Sequence, residues 1–315
     1  MEVYRVRICL AALLGVFCLS GATCQPNPFA SPMANLPPAL PESPTLDQVL
    51  YVVNRQSGQI QSFSTSQASL AVAGAPTSLH ANIAYERPRR LRLQASLLMS
   101  PELDLGSNDE AFWFWIKRSH PPAVYFCRHD QFYTSRARQM TPIEPQWLVE
   151  SLGMVEFNPS MPHQGPFRMS DQRVEVFTLI DTPMGPAKKI SVVDTRMGVV
   201  VEQRLQDAQG QLLAASQGSR HRRDPLSGVW LPSVVEMQVP PARFGLRLDL
   251  GPVSVNQPVG DPMELFSVPR YPDTPLVDIG DPNFQPPMAA AAPAAPPSGR
   301  RTLVPVSWSV AKPAR

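Results

Sequence analysis

Leu46, Val49, Leu50 and Val53 recur at the i, i+3, i+4, i+7 spacing that lines four apolar side chains along one face of a helix. Thr45 and Gln48 precede them with the T-x-x-Q spacing of a capping box, and Gly58 is the stop. Past Ile60 the period changes to two. Leu70 and Val72 lead into a turn at Gly74-Ala75-Pro76; Leu79, Ala81, Ile83 and Tyr85 alternate with polar neighbours; Leu91 and Leu93 take one strand face and Arg90 and Arg92 the other. Residues 111–116 are bulky and continuous, as in a strand covered on both faces, and Val124 to His129 reads as another strand. Glu144-Pro145 then opens a second helix carrying Trp147, Leu148 and Leu152 and stopping at Gly153. Beyond it lie strand patterns over 173–181, 187–195, 198–206, 211–217, 229–239, 244–250 and 252–256, separated by Pro-, Gly- and Asp-rich turns.

Connections this short require antiparallel pairing. The expected fold is mainly β within the α+β class: a single curved antiparallel sheet, or unclosed β-barrel, with helices covering the concave face. The folded domain is expected over 45–285.

Composition sharpens the picture at the two ends. The chain has 315 residues and 37 prolines, more than twice the usual share of about 5%. Seven of them fall within 25–44, which reads as an extended spacer. Residues 286–315 are Pro/Ala-rich and read as a disordered tail, although Val304, Val306, Trp308 and Val310 alternate as a late edge strand or a partner-binding segment would. Residues 1–24 read as an export signal: Arg5 and Arg7, an apolar run from Ile8 to Leu19, then Ser20, Gly21, Ala22, Thr23 and Cys24. Gly21-Ala22-Thr23-Cys24 resembles a lipobox, which makes Cys24 a lipidation candidate. Cleavage after Ala22 and an uncleaved membrane anchor are the alternatives.

A formal net charge of +2 argues against a nucleic-acid partner held by phosphate neutralisation. The common catalytic and nucleotide-binding signatures are absent from the sequence, so no catalytic residue, no cofactor and no metal is expected, and the protein is read as a non-enzyme. Cys127 and His129 share a strand face, but two ligands are too few for zinc, and they read as a structural pair. Three of the four cysteines lie within the first 24 residues, so no disulfide framework holds the body. Arg220-His221-Arg222-Arg223 is a basic turn, read as a solvated hairpin tip or a contact for anionic headgroups.

Three motifs carry a family resemblance: Arg87-Pro88-Arg89-Arg90-Leu91-Arg92-Leu93, Ser107-Asn108-Asp109-Glu110-Ala111-Phe112-Trp113-Phe114-Trp115, and Asp261-Pro262-Met263-Glu264-Leu265-Phe266-Ser267-Val268-Pro269. In this order, after a leading amphipathic helix, they resemble the LolA/LolB-like superfamily of bacterial envelope proteins. Asn108-Asp109 stands where that family has an Asp-Gly turn. The resemblance implies an open antiparallel barrel under a helical lid, with an apolar cavity for acyl chains of lipids or lipoproteins. It implies that Arg87 bonds the lid backbone, and that the third motif is a late strand. Cavity candidates are Leu46, Val49, Leu50, Val53, Trp113, Trp115 and Trp147.

The function expected is a non-enzymatic envelope protein, exported to the periplasm or anchored to a membrane facing it through a lipidated amino terminus, that binds an apolar ligand. The alternative is an envelope interaction or stress-sensor protein with a filled barrel, no ligand and an envelope protein partner.

Overall fold

The computed structural model describes residues 36–286, apart from 133, 136, 138–144 and 183–184. Cys24, the spacer up to residue 35 and the tail from residue 287 lie outside the described residues.

The leading helix α1 (Leu46–Gly58) starts where its cap dictates. Thr45 accepts from the backbone of Gln48, and the Gln48 side chain accepts from the backbone of Thr45. Six strands follow: β1 (Ser62–Val72), β2 (Leu79–Glu86), β3 (Arg90–Leu97), β4 (Ser100–Ser107), β5 (Ala111–Ile116) and β6 (Val124–Arg128). After a short helix α2 (Pro145–Ser151) come β7 (His163–Ser170), β8 (Arg173–Thr182), β9 (Gly185–Asp194), β10 (Val199–Asp207) and β11 (Leu212–Ser219). A small ribbon, β12 (Arg222–Arg223) with β13 (Trp230–Leu231), leads to β14 (Val234–Val239), β15 (Phe244–Asp249) and β16 (Ser254–Val255). A single turn of helix, α3 (Pro262–Leu265), and β17 (Leu276–Asp278) complete the fold.

Fifteen of these strands make one sheet in the order β17-β6-β5-β4-β3-β2-β1-β15-β14-β11-β10-β9-β8-β7, with β16 also against β1. Every pair is antiparallel except β17 on β6. The end strands β7 and β17 do not pair, so the sheet is unclosed.

Register assigns each side chain to a face. Phe63, Tyr85, Leu91, Leu93, Leu105 and Phe114 share the face that both helices cover, here the inner face. The main core lies there, between the strands β1–β3, β14 and β15 and the side chains of Leu148, Val149, Leu152 and Met154. Trp113, Trp115, Asp104 and Arg92 point the other way, beneath a strap formed by residues 261–271.

The strap accounts for a β5 that is buried on both sides. Arg92 donates to the carbonyls of Leu265 and Ser267 at 3.0 and 2.9 Å and to Asp104 Oδ2 at 2.6 Å. Tyr271 also donates to Asp104 Oδ2, at 2.6 Å, and its ring stacks on Trp115 at 4.3 Å between centroids. Burial, reinforced by the Asp104 hydrogen bond, raises the Tyr271 hydroxyl above the ordinary tyrosine range. Gly106 makes room for this layer, since a Cβ there would sit 2.2 Å from the Trp113 ring.

Several expectations change. The third motif is not a strand: Asp261 caps α3, with Pro262 in its first turn, because proline is preorganised for that position. The strand read over 229–239 is broken into β13 and β14 at Pro232, which has no N–H to donate. β4, β7 and β17 are strands with no alternation strong enough to predict them.

Candidate functional site

The inner face is apolar over β1–β3, β14 and β15, and what covers it there is α2, fewer than two turns long, together with Met154 and with Val229 and Leu231 at the small ribbon. Leu148, Val149 and Leu152 are buried against Phe63, Tyr85, Leu91 and Leu248 in one cluster. Gly153 ends the helix with φ +103°, a conformation that glycine adopts without a Cβ penalty. Trp147 packs at the margin of the same cluster, partly buried.

The other candidates divide. Leu46, Val49, Leu50 and Val53 of α1 pack with Leu40, Val155, Phe157, Val174, Val176 and Val193, a separate cluster over β8 and β9. They cover one end of the inner face and do not join Trp147 over its centre. The expectation for Trp113 and Trp115 is corrected: both sit on the outer face beneath the strap, and Phe112 and Phe114 are the β5 residues that face inward. Alternation separates the two pairs. Cross-strand register through Leu105 and Leu93 decides which pair is inside.

Arg87 stands at the β2–β3 turn, mostly buried, with its fork directed at the end of α1. Nη2 donates to the Ser57 carbonyl at 2.8 Å and to Ser57 Oγ at 3.3 Å, Nε donates to the Ile60 carbonyl at 3.2 Å, and Nη1 pairs with Glu156 at 2.7 Å. Helix-end carbonyls have no partner inside the helix; that of Ser57 accepts from the Ile60 N–H as well as from Arg87, and the same guanidinium serves the Ile60 carbonyl just beyond the terminus.

A polar island interrupts the apolar inner face beside α2. Glu150 Oε2 pairs with Lys189 of β9 and accepts from Gln203 Nε2 of β10 at 3.0 Å. The Lys189 ammonium lies 5.6 Å from the centre of the Trp147 ring. Cross-strand pairing joins Lys189 to Thr178, Gln203 to Ser191, and Gln203 to Ser216, so all five share the inner face. Ser191 Oγ and Gln203 Oε1 are fully buried with no hydrogen-bond partner among the described residues. The sequence alone does not bring these residues together. The one local signal is that Lys189 and Ser191 occupy the inward parity that Ala187 and Val193 fill with apolar groups.

Cys127 is buried, its Sγ 3.2 Å from the Arg128 carbonyl, and burial pushes its thiol up to about 11. His129 Nε2 lies 2.9 Å from the Asn108 carbonyl and 3.3 Å from Ser107 Oγ, and burial lowers its pKa. Among the described residues no group of three or more potential ligands is placed to hold a metal ion. In the basic turn, Arg222 donates to Ser233 Oγ and the Gly251 carbonyl, and Arg223 to the Gly228 carbonyl.

No protein-family model matches the chain, and no curated protein matches it. Solved structures do. An outer membrane lipoprotein-sorting protein domain from Vibrio parahaemolyticus aligns with 69% of this chain and 96% of its own, at 10% identity and a TM-score of 0.48. A DUF1329 family protein from Desulfovibrio piger aligns with 69% and 95%, at 10% identity and a TM-score of 0.46. A LolA superfamily protein from Nitrosomonas europaea aligns with 69% and 97%, at 10% identity and a TM-score of 0.42. In three dimensions, the chain is similar to LolA superfamily and outer-membrane lipoprotein-sorting domains.

Proposed function

We propose that this is a non-enzymatic protein of the bacterial cell envelope that takes an acyl chain of a lipid or lipoprotein on the inner face of its half-barrel. The observation that carries the reading is the closure of that face. An apolar surface spanning β1–β3, β14 and β15 is covered by the short helix α2, with Val229 and Leu231 at the small β12–β13 ribbon beside it, and not by a facing sheet of comparable size. Uncovering it costs about 25 cal/mol per Å², so an apolar chain of matching area can take the place of the helix. The Pro-rich stretch over 25–38 would act as the spacer between this domain and a membrane, with Cys24 as the lipidated anchor; the domain begins ahead of the expected residue 45, since Ala39 and Leu40 donate to the Arg196 and Thr195 carbonyls and Leu40 is buried.

A second reading rests on the same helix. Leu148, Val149 and Leu152 are as buried as core residues, which suits a permanently filled barrel that acts through an envelope protein partner. Mass spectrometry of organic extracts from natively purified protein, paired with titration of a fluorescent acyl probe, separates the two. Co-purifying lipid and saturable probe binding are expected. Clean extracts together with no probe binding would reject the carrier reading in favour of the filled barrel.

A further inference from the structure

The polar island on the inner face holds more polarity than an apolar ligand site needs. Lys189, Ser191 and Gln203 lie on adjacent strands, β9 and β10, with Ser191 and Gln203 directly opposite each other. Burying such groups without partners is unfavourable, because water satisfies them in the unfolded chain. The Ser191 hydroxyl and the Gln203 amide oxygen nevertheless stand unpaired at full burial, beside an ammonium. Among the described residues, one group from outside the sheet hydrogen-bonds to this island, the Glu150 carboxylate of α2, held by Lys189 and by Gln203 Nε2, and the Trp147 ring of the same helix lies against the Lys189 ammonium.

We propose that the island is a head-group subsite for an anionic amphiphile, and that Glu150 occupies it as a carboxylate stand-in when no ligand is bound. A ligand carboxylate takes the two donors that Glu150 now uses, Lys189 Nζ and Gln203 Nε2, and gains the Ser191 hydroxyl, which Glu150 does not engage. Its hydrocarbon chain then runs along the apolar surface where Leu148, Val149 and Leu152 pack. Helix and ligand are thereby exclusive twice over, once through the apolar face of α2 and once through its acid. The ligand class is a single-chain carboxylate or another acyl chain with an anionic head. This rests on the reading that the inner face accepts an apolar chain, and adds the head group to it.

Titration calorimetry of the full chain with dodecanoate and with methyl dodecanoate tests the two separately. A charge-assisted hydrogen bond to a buried site distinguishes acid from ester, so dodecanoate should bind about tenfold or more tightly. Glu150→Gln removes the competing carboxylate and should tighten dodecanoate and the ester alike by several-fold, because both displace the helix, and leave the acid-to-ester ratio standing. The double variant Glu150→Gln/Lys189→Met leaves no unpaired charge behind and should bind acid and ester alike. Circular dichroism melts establish that each variant is folded, and if the double variant is not, the wild-type and Glu150→Gln ratios decide alone. Equal affinities for acid and ester in wild type and Glu150→Gln would overturn the head-group subsite and leave the acyl-chain reading standing. Absence of binding for both compounds in both proteins would overturn the two together.

Discussion

Arg87 reaches from the β2–β3 turn to the last turn of α1, where its Nη2 donates to the Ser57 carbonyl at 2.8 Å. The same fork serves the Ile60 carbonyl, so one side chain ties the helix end to the sheet. Arg87→Ala should cost about 1–3 kcal/mol in urea denaturation, because it removes the donor of the Ile60 carbonyl and leaves the Ser57 carbonyl only its backbone donors. Arg87→Lys should recover less than half of that, since an ammonium lacks the planar fork. The Glu156 arm contributes little, being half exposed. Glu156→Gln should therefore change stability by under about 1 kcal/mol.

The strap predicts a larger effect. Arg92 and Asp104 form a buried pair whose remaining contacts hold residues 265–271 on the outer face. Asp104→Ala leaves a buried guanidinium uncompensated and should cost about 3–5 kcal/mol. Tyr271→Phe removes one hydrogen bond and should cost about 1–2 kcal/mol. Chemical denaturation of the two variants checks the ranking.

Acid should weaken the fold through His221. Burial holds its pKa down at about 4 from an ordinary 6.5, with Arg173 adding to the effect and Asp194 opposing it. The unfolded chain binds a proton below pH 6.5 that the folded chain refuses until about pH 4. Stability from this group is thus intact above pH 6.5 and is lost as pH falls through that window, by up to about 3 kcal/mol. Thermal melts at stepped pH should show this decline, and His221→Asn should flatten it.

The β3–β4 turn is strained. Leu98 and Met99 both have positive φ, at 47° and 69°, and their side chains are 94% and 96% exposed. Two-residue turns of this kind favour Asn-Gly, because a Cβ at positive φ is penalised. Leu98→Asn/Met99→Gly should raise stability by about 1–2 kcal/mol, measured as a shifted denaturation midpoint at unchanged slope.

What the sequence made legible was local. The α1 cap sits at Thr45 because a capping box is complete within four residues, and β2 and β3 alternate because one face of each is core. β4 is hidden in the sequence because Asp104, where a solvent-facing residue is expected, is buried on Arg92, with Pro101 and Gly106 masking the Leu103–Leu105 alternation. Which of the β5 aromatics faces inward depends on register through Gly106, whose missing side chain admits Trp113. The polar island was hidden for the same reason, since Glu150, Lys189 and Gln203 come from three elements and meet only once the sheet is assembled.

One pairing in that sheet bears on the order in which the molecule assembles. β1 takes its second neighbour from β15 and β16, and its Thr65 hydroxyl donates to the Leu250 carbonyl across 185 positions of chain. Strands β1–β6 are able to zip hairpin by hairpin in chain order, but one edge of the eleven-residue β1 stays bare until residues 244–255 arrive. Loops this long close slowly, and a bare strand edge recruits other chains in the meantime. A nascent chain stopped short of residue 244 therefore carries an open edge in what will become the middle of the sheet, and the first strand to be made waits longest for its place to be closed.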